Sequence, residues 1–155
     1  MTLNANQNKT VRVEKIVGLH TSRDNAITEP ALEACNALKR AGNFEELLAS
    51  QMREWKQLWY RCDMELEEGE YTQMILRLHI FHILQTASSN SIDLDMGIPA
   101  RGWHGEAYRG HIFWDELFVF PFLNFQLPEL ARSLLMYRYR RLPAARRAAS
   151  EAGYK

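Results

Sequence analysis

Between Glu70 and Ala87 the chain carries Met74, Ile75, Leu78, Ile80, Phe81, Ile83 and Leu84, which at helical spacing cover nearly the whole circumference. A surface helix shows one apolar stripe, whereas a helix that is apolar all round belongs inside a larger assembly. The spacing on either side is also helical. Thr28 is expected to cap a helix running from Glu29 to about Ala41, with Pro30 in its first turn and Gly42 just past its end. Asn43, followed three residues later by Glu46, has the form of a capping box. It opens a helix that places Phe44, Leu47, Leu48, Trp55, Leu58, Trp59 and Cys62 on one face and ends before Glu67. A fourth helix is expected near Trp114, with Leu117, Phe118, Phe120 and Phe122 and a bend at Pro121. A fifth starts at Pro128 and carries Leu130, Leu134, Leu135 and Tyr139, and a short sixth runs from Pro143 to Gly153.

One segment departs from this rhythm. After a polar start expected to fray (residues 1–9), Val11 and Val13 alternate with Arg12 and Glu14, and Ile16-Val17-Gly18-Leu19 follows. That alternation predicts a β-strand. No second strand candidate exists in the chain, so this strand either pairs with another copy or closes a sheet lying outside the sequence. The second reading is preferred.

Composition narrows the partners. Lys plus Arg equals Asp plus Glu at 19 each, so no overall field favours nucleic acid or an anionic membrane. The most apolar run, Leu117 to Phe125, is broken by Pro121 and Asn124 and falls short of the ~18 residues a spanning helix needs. The start, with Asn4, Asn6, Gln7 and Asn8, lacks the apolar centre of a signal peptide, and a cytoplasmic location is expected. Cys35 and Cys62 form no C-x-x-C pattern and are expected to be reduced, buried fillers rather than a disulfide framework or a zinc site.

Residues 88–110 are expected to form a long irregular loop, and loops of that length in compact domains are commonly functional. From its end, Gly102 to Phe118 crowds glycines, charges and aromatics together. A carbohydrate site needs this mixture: aromatic faces stack on the C–H faces of a sugar, while carboxylates and guanidinium groups bond its hydroxyls. Other patterns are weaker. His79 and His82 stand at i, i+3 with no third metal ligand placed, and His104-Gly-Glu106 lacks the P-C-x-x-C of the zinc deaminases. Asp93-Leu-Asp95-Met-Gly97 suggests a calcium loop, but its twelfth position is His104 rather than glutamate. Glu106 fits a structural ion pair or backbone anchor as well as a substrate contact. The basic run Arg132, Arg138, Arg140, Arg141, Arg146, Arg147 fits a solvated or intramolecular face better than an RNA surface.

The run Ile98-Pro-Ala-Arg-Gly-Trp-His-Gly-Glu-Ala-Tyr-Arg-Gly-His-Ile-Phe-Trp-Asp115, then Pro121-Phe122, then Met136 to Arg146, resembles glycoside hydrolase family 65, which includes maltose, trehalose and kojibiose phosphorylases. The likeness extends from about Thr10 to the end. It implies an all-α fold: part of an (α/α)6 barrel with preceding linker helices and one orphan N-terminal strand. Residues 1–24 would be a frayed terminus and the last strand of a β-sandwich, 25–69 the linker helices, and 70–155 the first part of the barrel. In family terms Trp114 and Asp115 line the subsite of the transferred glucosyl unit. Arg109 and His111 bracket Gly110 at the mouth of the same loop and are substrate-binding candidates by position: either one of them contacts sugar hydroxyls or orients Asp115, or, the preferred reading, they satisfy loop carbonyls and helix ends. Many relatives continue the motif as Trp-Asp-Thr-Glu, whereas this chain has Trp114-Asp115-Glu116-Leu117. The general-acid glutamate would lie downstream, so no catalytic residue is expected within these residues and the chain alone is expected to be inactive. The resemblance implies a disaccharide α-glucoside as substrate, cleaved by phosphorolysis with inversion or by hydrolysis. It implies no metal or organic cofactor, with inorganic phosphate as co-substrate in a phosphorylase. The competing expectation is a non-catalytic helical interaction module, its exposed apolar surface covered by a partner or by self-association.

Overall fold

The computed structural model describes residues 3–4, 6–102 and 108–154. Among the described residues all regular structure is helical: α1 (Pro30–Arg40), α2 (Phe44–Cys62), α3 (Glu70–Thr86), α4 (Glu116–Gln126) and α5 (Pro128–Glu151). Short 3-10 turns lie at Ser89–Ser91 and Tyr108–Gly110, within the long loop expected there. The all-α class follows. No described helix is long and apolar enough to cross a membrane. The chain divides within α2 into two compact units, Met1–Lys56 and Gln57–Lys155.

In the first unit the strand expected over 11–19 does not form. A strand is stabilised by a neighbour, and the described residues offer none, so residues 9–20 have no regular secondary structure. The segment is held in other ways. Gly18 passes so close to α1 that a Cβ there would lie 2.9 Å from the Ala34 carbonyl oxygen. Arg12 pairs with Glu14 and Glu45 and lies 5.4 Å over the Phe44 ring, and the Phe44 N–H donates to Glu14 at 3.2 Å. α1 is capped by Glu29 rather than Thr28, its carboxylate accepting from the N–H groups of Ala31 and Leu32. The capping box of α2 forms in both directions: Glu46 N–H to Asn43 Oδ1 at 3.0 Å, and Asn43 N–H to Glu46 Oε2 at 3.2 Å. No described residue of this unit is buried, so caps and ion pairs rather than a core hold it; Cys35, expected to be buried, is exposed on α1 for that reason, whereas Cys62 is buried as expected.

The second unit contains the core. Cys62, Ile80, Leu84, Ala87, Ile98, Phe120, Leu123, Leu127, Leu130, Ala131 and Leu134 are buried. Leu127 alone joins α4 to α5, its N–H bonded to Leu123 O and its carbonyl to Ala131 N–H, so the two helices turn on one residue. Arg77 grips both oxygens of Asp63 at 2.9 and 2.5 Å, and the side-chain amide of Gln73 bonds Met64 and Leu66, which folds residues 63–69 onto α3. That guanidinium holds the Asp63 carboxyl below its ordinary range. α3 buries Ile80 and Leu84 but leaves Tyr71, Met74 and Leu78 exposed. Its apolar circumference is thus only partly covered.

The separate sixth helix expected from Pro143 is absent: α5 continues through Pro143 to Glu151. Proline removes one N–H from the ladder, and the flanking Leu142, Ala144, Ala145, Arg146 and Arg147 are strong helix formers, so propagation continues past a single lost bond.

Asp95 ties the loop ahead of α4 to α5. It accepts from Arg141 at 3.0 Å through each oxygen and from Arg140 at 3.1 Å, while Arg141 lies 3.7 Å over the Tyr137 ring. Arg141 first, then Arg140, lowers the Asp95 carboxyl to about 2. A carboxyl depressed on folding stabilises the fold above its unfolded pKa, and that stabilisation is lost as pH falls through the folded value. Melting curves stepped downward in pH should therefore separate the parent from Asp95→Asn near neutrality and converge between about pH 4 and 2. The pair is solvent-exposed, so the separation should be small and shrink in high salt. A gap that persists below pH 2 would assign the effect to something other than this charge.

Candidate functional site

The residues leading into α4 build a fixed platform. Tyr108, Arg109 and Gly110 all have positive φ, at 55°, 48° and 73°. This left-handed turn brings His111 back onto Tyr108, whose carbonyl oxygen accepts from the His111 backbone N–H at 2.9 Å and from Nδ1–H at 2.6 Å. The His111 ring stacks on Phe113 with centroids 5.7 Å apart, and Tyr108 meets Phe113 edge-on at 5.6 Å. The Ala100 N–H donates to the His111 carbonyl at 3.0 Å. Gly97 packs beneath: a Cβ there would lie 2.8 Å from Ile112 Cδ1, so only glycine fits without displacing that side chain.

Trp114 and Asp115 follow at the start of α4. Trp114 is 66% exposed and contacts Phe118 edge-on at 5.6 Å. Asp115 is half-buried at the N-cap position with helical backbone angles, and its side chain makes no capping hydrogen bond. Its carboxylate is therefore not used by the helix. An exposed indole and a half-buried carboxylate on adjacent residues can offer a sugar an apolar wall and two acceptor oxygens. Arg109 is exposed, and the His111 ring is turned to its own loop by the bond to Tyr108. The expectations for His104 and Glu106 lie outside the described residues.

The residue that the sequence reading left without a role is Glu116. It is only 5% exposed, and its Oε1 accepts from Arg138 Nε at 2.5 Å. Arg138 Nη2 also donates to the carbonyl oxygens of Phe113 at 2.8 Å and Ile112 at 3.3 Å. Part of the arginine run is thereby intramolecular, with Arg138 on Glu116 and Arg140 and Arg141 on Asp95. A glutamate in the first turn of a helix normally reads as a solvated charge favoured by the helix dipole, and only a partner 22 residues away shows otherwise.

A separate cavity of about 380 Å³ lies against α3, lined by Leu78, His79, His82, Ile83, Ile98 and Val119 among others. Trp114, Asp115, Arg109 and His111 are not part of its wall. No group of three or more His, Cys, Asp or Glu residues suited to a metal ion occurs among the described residues.

Comparison with known proteins gives the family. The model for the glycosyl hydrolase family 65 central catalytic domain matches residues 77–155, and that for the family 65 N-terminal domain matches residues 1–58. The chain belongs to glycosyl hydrolase family 65. It is 50% identical over 154 residues to an uncharacterized glycosyl hydrolase of Mycobacterium tuberculosis, covering 99% of this chain and 12% of the relative. Similarity to the kojibiose phosphorylase of Caldanaerobacter subterraneus is 41% over 155 residues, covering 95% and 19%. Against the α,α-trehalose phosphorylase of Thermoanaerobacter brockii it is 34% over 157 residues, covering 99% and 20%. The chain thus spans between 12% and 20% of the length of these relatives. No solved structure matches.

Proposed function

We propose that this chain is one part of a glycoside phosphorylase that cleaves the α-glucosidic bond of a disaccharide, and that it supplies the floor of the glucosyl subsite through Trp114 and Asp115. The observation that carries the reading is the match of residues 77–155 to the family's central catalytic domain, within which Trp114 and Asp115 stand accessible on a braced helix start. Phosphorylases among the relatives favour phosphorolysis over hydrolysis. In that reaction phosphate takes the place of the base-activated water of an inverting hydrolase, while a carboxylic acid protonates the leaving oxygen. The product is β-glucose 1-phosphate, and the acid belongs to a part of the enzyme beyond these residues. In this reading 1–24 end a β-sandwich, 25–69 are linker helices and 70–155 begin an (α/α)6 barrel. Arg109 and His111 border the subsite, and the enzyme works in the cytoplasm without a metal or organic cofactor.

Large exposed side chains on α4, Leu117, Phe118 and Phe125 among them, fit the surface that later barrel helices would cover. They fit an interaction module equally well, and activity separates the two. The chain is substituted for the aligned segment of the Caldanaerobacter kojibiose phosphorylase, and phosphate-dependent glucose 1-phosphate formation from kojibiose is measured. The chimera is expected to turn over, and the 155-residue chain alone is expected to show nothing above buffer. A folded but inactive chimera favours the interaction module, and turnover by the chain alone places the acid within it.

A further inference from the structure

The four carbonyl groups from Ile112 to Asp115 are all engaged, but not by the same structure. Those of Trp114 and Asp115 accept from the N–H groups of Leu117 and Phe118 at 3.0 and 3.1 Å, as the first turn of α4 requires. Those of Ile112 and Phe113 lie ahead of the helix and have no such donors; both accept from Nη2 of Arg138, on α5. The same guanidinium reaches past the pair to Glu116 through Nε. Arg138 therefore grips the backbone before Trp114 and the side chain after Asp115, and the two residues between are carried on a segment pinned at both ends.

We propose that Arg138 is a positioning residue for the glucosyl subsite, fixing through Ile112, Phe113 and Glu116 where Trp114 and Asp115 stand. The inference rests on the reading that those two residues hold the glucosyl unit. Arg138 need not touch the sugar. Its planar fork donates in two directions from fixed points, which a lysine ammonium, a single donor centre on a flexible stem, does not reproduce. Glu116 Oε2 is buried with no hydrogen-bond partner among the described residues, and Oε1 is held by Arg138, so a buried carboxylate would lose its cation if that side chain were removed. Complete removal of Arg138 would strand that charge and threaten folding. Arg138→Lys keeps a cation near Glu116 while releasing the two carbonyls.

The test uses the kojibiose phosphorylase chimera and reads three quantities: kcat and KM separately, thermal melting, and amide hydrogen exchange in peptides spanning 108–118. Arg138→Lys is expected to lower kcat/KM by about 100-fold, the scale of a ~1 Å misplacement of a binding group. Most of the loss should fall in kcat, with exchange faster across 112–116 and little change elsewhere. Normal kinetics in a folded Arg138→Lys enzyme overturns the proposal. So does a kinetic loss without faster exchange at 112–116, which would mean that Arg138 meets substrate directly. Should the lysine variant not fold, Glu116→Gln, which keeps an acceptor for Nε but loses the charge, is read in the same way with a smaller expected loss. Asp115→Asn is run beside them. If it and Arg138→Lys are both normal, the subsite reading fails; if Arg138→Lys alone is normal, the subsite stands and only the positioning role falls.

Discussion

Asp115→Asn, introduced into the active chimera, should lower kcat/KM by an amount equivalent to roughly 2–5 kcal/mol, the range for removing one partner from a buried hydrogen-bonded charge. The carboxylate offers two acceptor oxygens to neighbouring sugar hydroxyls, and the amide turns one of them into a donor. One hydroxyl keeps a neutral acceptor, weaker than the charged one, and the other faces an N–H. If the bonds tighten as positive charge develops at the anomeric carbon, the loss falls on the transition state rather than on ground-state binding. Folding should hardly change. The Asp115 side chain makes no capping hydrogen bond, and a negative charge beside the N-terminus of a helix is worth about 0.3–1 kcal/mol. Glucose 1-phosphate formation measured beside thermal melting separates the two effects. An Asp115→Asn enzyme with parental kinetics removes this aspartate from the site.

What could be read in advance divides by the range of the interaction responsible. The helices were legible because their signals are local: the Asn43–Glu46 box forms both of its bonds, Pro128 opens α5, and α3 ends within a residue of the position its spacing predicts. Trp114 and Asp115 are legible as candidates because their residue types and the motif around them suit a sugar. The strand over 11–19 fails because alternation reports a preference for one-sided burial, not the presence of a neighbour to pair with. Pro143 misleads for the opposite reason, since a local breaker is overridden by the helix on both sides of it. The Glu116–Arg138 clamp and the Asp95 pairs with Arg140 and Arg141 join residues 22 to 46 apart in sequence. No periodicity encodes such a pairing.

Leu123→Ala should be the most damaging single change to the second unit. Leu123 is 0% exposed, and it sits one turn before Leu127, the residue on which α4 and α5 pivot. Truncating a fully buried leucine removes its transfer free energy and leaves a cavity, together about 2–5 kcal/mol. A typical domain holds only about 5–15 kcal/mol, so a loss of that size is a large share of the total. Melting should fall by roughly 10 °C or more for a unit of this size. The cavity would open where α4 meets α5, the helix that carries Arg138, so loosened packing should also speed amide exchange at 112–116. Phe125, two residues further along α4 and 88% exposed, provides the contrast. In the isolated chain Phe125→Ala should change stability by less than about 0.5 kcal/mol, because the ring is already in water. In the chimera the same change should cost several times more if later barrel helices cover that face. Equal and negligible effects of Phe125→Ala in both contexts would mean that the apolar face of α4 stays in water even in the assembled enzyme, and would remove the barrel reading of that surface.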